Sequence, residues 1–215
     1  MTEPFLSTTR MSYDNIAKDY AALHPDGMAA HPLDRSLLGV FAELVAANSS
    51  APVADLGSGP GGAAARLHAL GVPVFGIDVS PRMVALASET HRTLRFHVGT
   101  MTSLDLPDES LGGILAAYST IHVPDEALPK AFAEFHRTLV PGGHVLLAFQ
   151  TGAQDGGRRL TERFGREIEL DYHWRTPETM AAHLEEAGLF PRTRILREAH
   201  DPETIPRAFV FAQKR

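Results

Sequence analysis

The sequence predicts an α/β protein built on a doubly wound, mostly parallel seven-stranded sheet with a C-terminal antiparallel hairpin. Three observations predict it. Short apolar runs alternate with helical patterns from residue 52 to 150, each run nearly free of polar residues, as strands buried on both faces require. Breakers separate them at regular intervals. Near the C-terminus two apolar runs follow one another with only the turn-like HDPETIP between them, and strands joined without a helix pair antiparallel.

The elements follow in order. Residues 1–12 read as a loose lead-in. Tyr13, Ile16, Ala17, Tyr20 and Ala21 fall at helical spacing, and after His24-Pro25-Asp26-Gly27 a second helical pattern runs from Leu33 to Ala47. Strands are expected at 52–57, 72–80, 94–99, 112–119 and 144–150, with helices near 61–70, 81–90 and 125–139 between them. Pro81 suits a first helical turn, and Pro141-Gly142-Gly143 closes the last helix. Residues 151–173 break the rhythm: they are polar, rich in Gly and Arg, and lead into Tyr172, His173 and Trp174. A helix from Pro177 to Gly188 and strands near 192–199 and 206–213 complete the chain. All 215 residues read as one domain, with lid helices at about 13–48 and an insert at about 151–173 that shapes a substrate pocket.

Composition narrows the function. Twenty Lys and Arg against 26 Asp and Glu give a formal charge of −6, which disfavours nucleic acid as a partner. The chain has no cysteine, so disulfides, thiolate nucleophiles and cysteine metal sites are excluded. No signal pattern and no run of about 18 apolar residues is present, so a cytoplasmic protein without a membrane partner is expected. Eleven histidines are scattered without metal-ligand spacing, and no metal is expected.

The most informative segment is Asp55-Leu56-Gly57-Ser58-Gly59-Pro60-Gly61-Gly62, where a strand gives way to a helix. Glycines there let the backbone turn tightly and approach a ligand, and the helix N-terminus behind them offers unpaired N–H groups. Asp55 just before the first glycine suits an ammonium group and opposes a pyrophosphate. Asp78, closing the next strand, can accept hydrogen bonds from both hydroxyls of a ribose, at about 1.5–3 kcal/mol each. The ligand so described is a zwitterionic amino acid joined to a nucleoside.

DLGSGPGG, GIDVSPRMVALA, FHVGTMTSLDLPDES and LVPGG, in this order and spacing, resemble the class I S-adenosylmethionine-dependent methyltransferase family of small-molecule type. The likeness runs from about residue 13 to the C-terminus and implies S-adenosyl-L-methionine as cofactor and a small molecule as methyl acceptor. It places the methionine part of the cofactor against Asp55, Gly57, Ser58, Gly59 and Gly61, and the ribose on Asp78. It sets Val79 and Met83 against the adenine, although both positions also suit ordinary packing. Where family members carry Gly-Asp after the third strand, this chain has Gly99-Thr100-Met101, so Thr100 or the Met101 backbone takes the adenine contact without a charge. Ala117 lies where the sulfonium faces the acceptor, and Tyr118 and Trp174 are candidates for the acceptor pocket.

YSTIHVPDE resembles the family's loop that ends in histidine, which makes His122 a candidate general base or substrate-orienting group; a cap histidine is the plainer reading. SYDNIAKDYAAL resembles a lid helix, whose Tyr13 and Tyr20 would close over the cofactor; core packing explains them equally. The arginines of 151–173 suit either an acidic acceptor or a solvated helix face paired with Glu162, Glu167 and Glu169. Two other functions stay open, a non-catalytic S-adenosylmethionine-binding protein and an NAD(P)-dependent oxidoreductase. The GxGxG spacing with Asp55 directly upstream argues against the second.

Overall fold

The computed structural model describes residues 3–201 and 203–215. Its element order is α1 (Pro4–Leu23), α2 (Pro32–Asn48), β1 (Val53–Leu56), α3 (Gly62–Ala69), β2 (Val74–Asp78), α4 (Pro81–Thr90), β3 (Phe96–Val98), β4 (Leu111–Ala117), α5 (Leu128–Thr138), β5 (Leu139–Gln150), β6 (Gly156–Arg163), β7 (Arg166–Trp174), α6 (Pro177–Glu186), β8 (Leu189–Arg197) and β9 (Arg207–Lys214). Seven strands form one sheet in the order β3-β2-β1-β4-β5-β9-β8. The first five are parallel, and β9 and β8 close the edge as the expected antiparallel hairpin.

Side-chain alternation along the central strands divides the core into two layers. Val145, Leu147 and Phe149 of β5 meet Phe132 and Phe135 of α5 and Met180 and Leu184 of α6 on one face. Leu146 and Ala148 meet Leu38, Phe41 and Val45 of α2 and Leu67 of α3 on the other. This is why the strands read as unbroken apolar runs: both neighbours of every inward residue are also inward. Ser80 and Thr176 accept hydrogen bonds from Met83 and Thr179 N–H at 3.1 Å, each followed by a proline at the first helical position, so α4 and α6 start where the sequence places them.

Two expectations fail. The lead-in is helical from Pro4, so α1 gains about two and a half turns over the expected Tyr13–Leu23 helix, and of the lead-in residues 1 and 2 lie outside the described residues. Ser7, Thr8 and Thr9 are weak helix formers, but Pro4 opens the helix and Thr8 bonds back to the Pro4 carbonyl at 3.1 Å. The insert is an antiparallel hairpin, β6–β7, and not a helix face. Its two-residue turn, Phe164-Gly165, has φ of +55° and +69°, the left-handed pair that matches strand twist in a tight hairpin.

The hairpin and α1 hold each other. Leu160, Ile168, Leu170 and Tyr172 pack on Ile16, Tyr13 and Tyr20. Ser12 Oγ both donates to the Glu169 carbonyl and accepts from its N–H, each at 2.9 Å, and Asn15 donates to the Glu167 carbonyl. On its other side α1 meets the start of α4, where Asp14 accepts from Ser80 Oγ at 2.6 Å and from Arg82 N–H at 3.1 Å. Thus α1 is clamped as a roof over the carboxyl ends of β1 and β2. No described helix is long and apolar enough to cross a membrane.

Candidate active site

Between β1 and β4 the strand order reverses, and the crevice outside the carboxyl ends of such strands is where α/β sheets take ligands. A cleft lies there, with about 720 Å³ of empty space including its open mouth. Its floor is the ends of β1, β2 and β4, and its roof is Phe5, Leu6, Thr9, Tyr13 and Tyr20 of α1.

The glycine loop begins the site. Gly57 has φ of +75°, and a Cβ there would stand 2.3 Å from that of Ser119, whose hydroxyl donates to the Leu56 carbonyl at 2.7 Å. Only glycine lets the ends of β1 and β4 approach so closely. Gly59 follows with its missing side chain facing open space, and its N–H donates to Asp78 Oδ2 at 2.8 Å. The Ser80 N–H donates to Asp78 Oδ1 at 2.8 Å. Asp78 is therefore aimed into the cleft by two backbone bonds, with lone pairs to spare on both oxygens. Burial outweighs those bonds and pushes its carboxyl up to about 6.

Asp55 is buried beneath the loop and outside the cleft lining. One of its oxygens has no hydrogen-bond partner, and burial, with Asp78 adding, pushes its carboxyl up to about 7. The adenine-side candidates Val79, Met83, Thr100 and Met101 line the cleft together, and Ile77 and Gly99 join them. The Thr100 hydroxyl is engaged locally, by Thr102 Oγ1 at 3.0 Å.

At the far end of the cleft stand Ala117, Tyr118 and His122. Tyr118 has φ of +55°, a strained conformation that aims its ring into the site, and its hydroxyl donates to Asp34 at 2.9 Å. His122 is buried at 7% exposure between Tyr13 Oη at 2.8 Å from Nε2 and the Asp171 carbonyl at 2.9 Å from Nδ1. A carbonyl only accepts, so Nδ1 carries the proton and Nε2 accepts from the Tyr13 hydroxyl. Burial pushes His122 down to about 4, and drives Tyr13 well above the usual phenol value. The pair is a neutral imidazole holding a neutral phenol.

The comparisons agree with this geometry. A family model described as "Methyltransferase domain" matches residues 53–143, from β1 into β5. The chain is 33% identical over 92 residues to a demethylmenaquinone methyltransferase of Chlorobaculum parvum, covering 42% of this chain and 37% of that one. It is 31% identical over 157 residues to a malonyl-[acyl-carrier protein] O-methyltransferase of Pectobacterium atrosepticum, covering 72% and 59%. Residues 53–143 are a methyltransferase domain, and the fold is that of the S-adenosylmethionine-dependent methyltransferases. Among solved structures, the 1,6-didemethyltoxoflavin-N1-methyltransferase of Burkholderia thailandensis, with bound 1,6-didemethyltoxoflavin and S-adenosylhomocysteine, shares the fold. Its TM-score is 0.72 at 18% identity, over 100% of this chain and 91% of that one. The chain spans 37% and 59% of the length of the two curated relatives.

Of the residues expected from the sequence, the cleft gathers Tyr13, Tyr20, Gly57, Gly59, Asp78, Val79, Met83, Thr100, Met101, Ala117, Tyr118 and His122. Four lie elsewhere. Asp55 is beneath the loop. Ser58 turns inward, where a Cβ on Gly76 would come within 2.6 Å of its Oγ. Gly61, at φ of +88°, is glycine because a Cβ would strike Phe96 at 2.7 Å. Trp174 packs over Gly156 at the base of the hairpin and is absent from the lining. Sequence reasoning missed Phe5, Leu6 and Thr9, for which Pro4 was the only signal. It also missed Arg175, which is 3% exposed and bonds the Val123 carbonyl at 2.7 Å, the Thr120 carbonyl at 3.4 Å and Asp125 at 2.7 Å. Arg175 thereby pins the loop that carries His122, a role with no local sequence pattern.

Proposed function

We propose that this protein transfers a methyl group from S-adenosylmethionine to a small-molecule acceptor. The observation that carries the reading is Asp78, a carboxylate held by two backbone N–H groups at the mouth of a left-handed glycine loop, with acceptor capacity facing the cleft. That capacity fits the two hydroxyls of a ribose. Val79, Met83 and Met101 supply an apolar wall for the adenine, and Gly59, whose missing side chain faces open space, leaves room for the amino-acid part. The unpartnered buried oxygen of Asp55 leaves an acceptor behind that part, and an ammonium group bound there would draw the carboxyl to its ionised form.

When bound, the cofactor supplies a methyl group on a positively charged sulfur, already electrophilic. The chain has to align the acceptor, exclude water and accommodate one proton. Roof helix α1 excludes water, and its two clamps keep it in place. Tyr13 presents its oxygen lone pairs, because its proton is committed to His122. His122 acts as a positioning residue: near pH 7 it stays neutral and is too weak a base to hold the acceptor's proton, so an acceptor N–H or O–H is oriented by Tyr13 and loses its proton to solvent on leaving. Of the two expected roles for His122, orientation is the one its burial supports. Against the nicotinamide-dependent alternative stand the GxGxG spacing and Asp55 directly behind the loop, which opposes a pyrophosphate there.

Calorimetric titration with S-adenosylmethionine and, separately, NADH tests the reading. Micromolar binding of the first alone is expected; binding of NADH, or of neither, would overturn it. Release of S-adenosylhomocysteine in an acceptor screen then separates an enzyme from a non-catalytic binder.

A further inference from the structure

The chain has four tyrosines, and all four line one second cavity that adjoins the cleft and shares Tyr13, Tyr20 and Tyr118 with it. This cavity has about 880 Å³ of empty space including its open mouth and lies between α1, the start of α2, the hairpin and the ends of β4 and β5. Its lining carries Arg163 and Arg207 against Asp34 and Glu203, but both carboxylates are already engaged on one side. Behind one wall Arg197 pairs with Asp34 at 3.2 Å and with Glu203 at 2.6 Å, and on that wall Arg207 lies 3.5 Å from Glu203. Two guanidinium groups and two carboxylates close on each other there.

On the facing wall stands Arg163, at the end of β6. It donates to the Tyr172 hydroxyl at 3.2 Å, lies 3.3 Å from His24 Nε2, and stacks 5.1 Å from the centre of the Tyr20 ring. None of these is a carboxylate. Burial and the Arg163 charge both push His24 below the usual imidazole value, so His24 adds no second charge. The other anchored arginines of the hairpin behave differently: Arg159 is held by Asp171 and Glu169, and Arg166 by Asp19, all at the exposed outer side. Among the described residues Arg163 has no acidic partner within salt-bridge distance.

We propose that the methyl acceptor carries an anionic group, a carboxylate or phosphate, and that Arg163 recognises it; this rests on the methyltransferase reading above. A cationic acceptor is opposed twice over, since the faces of Tyr20 and Tyr118 already carry Arg163 and Arg207. A guanidinium partly withdrawn from water and bonded only to neutral groups binds an anion through charge-assisted pairs. Gln150 Oε1, buried without a partner in the same cavity, offers an acceptor for a hydroxyl or amine elsewhere on the molecule.

The test uses protein saturated with S-adenosylhomocysteine, whose binding is first measured by calorimetry. Four probes of one ring each are then titrated by NMR at low salt: benzoate, phenyl phosphate, benzamide and benzyltrimethylammonium. Benzoate or phenyl phosphate is expected to bind at least tenfold more tightly than benzamide. Arg163→Gln removes the difference, and Arg166→Gln, at an exposed pair, keeps it. Equal affinity for benzamide, preference for the cation, absence of anion binding, or an anion preference that survives Arg163→Gln would each overturn the proposal. Loss of S-adenosylhomocysteine binding itself would instead strike the methyltransferase reading.

Discussion

Replacing Asp78 by Asn changes one atom at the centre of the proposed cofactor site. The carboxylate now accepts from Gly59 and Ser80 N–H at 2.8 Å each. An amide nitrogen must face one of these donors, which leaves that donor unpaired at a cost of about 1–3 kcal/mol. Against this, the wild-type carboxyl is pushed up to about 6 from 3.8, so ionising it at pH 7.5 costs about 3 kcal/mol of folding free energy. For an acid with a raised value this cost is absent below about 3.8, grows up to about 6 and is complete above it. The two effects nearly cancel, and Asp78→Asn is expected to fold with a Tm close to wild type.

Binding does not cancel. Loss of a charged acceptor for the ribose hydroxyls weakens S-adenosylmethionine by about 1.5–3 kcal/mol, roughly tenfold to a hundredfold in Kd at pH 7.5. Wild type loses the same advantage on acidification. One unit below a value of about 6, at pH 5, its Kd is expected to be about tenfold weaker than at pH 7.5. The variant lacks this group, so the part of the profile due to Asp78 disappears. Calorimetric titration of both proteins from pH 5 to 8, with thermal melts as a check on folding, reads this directly. Equal affinities at pH 7.5, or wild-type and variant profiles of identical slope, would refute the role of Asp78.

Tyr13→Phe and His122→Gln are each expected to lower turnover at least tenfold while changing cofactor Kd less than threefold, and the wild-type kcat profile should hold no limb that His122→Gln abolishes; such a limb would make His122 a base. Gly57→Ala meets both a φ of +75° and a Cβ contact of 2.3 Å, and is expected to lose about 2–5 kcal/mol, a fall of at least about 5 °C in Tm by thermal denaturation. Arg175→Gln leaves carbonyls of the His122 loop without a strong donor, at a cost of about 1–3 kcal/mol, and kcat should fall while cofactor Kd holds.

The parallel sheet was legible because its strands are buried on both faces and its helices carry strong punctuation: Ser80-Pro81 and Thr176-Pro177 begin helices where expected. The left-handed turn of the glycine loop and the place of Asp78 beside it were legible because glycines after one strand and an acid closing the next stand plainly in the sequence. The β6–β7 hairpin was not. Only Leu160, Ile168, Leu170 and Tyr172 face α1, while the rest of both strands is largely exposed, charged or polar, and that pattern reads equally as a solvated helix. The roles of Gly61 and Ser58 misled for a related reason. A glycine or serine in such a loop can face either the ligand or the sheet, and Phe96 and Gly76 decide which only in three dimensions. The Tyr13–His122–Asp171 chain joins α1, the loop after β4 and β7, so no local spacing could reveal it.

A crystal structure of the protein with S-adenosylhomocysteine tests the central claim most directly. Both ribose hydroxyls are expected within hydrogen-bond distance of Asp78, the adenine against Val79, Met83 and Met101, and the sulfur turned towards Tyr118 and Tyr13. The nucleoside bound elsewhere, or bound in the cleft with Asp78 uninvolved, would contradict it.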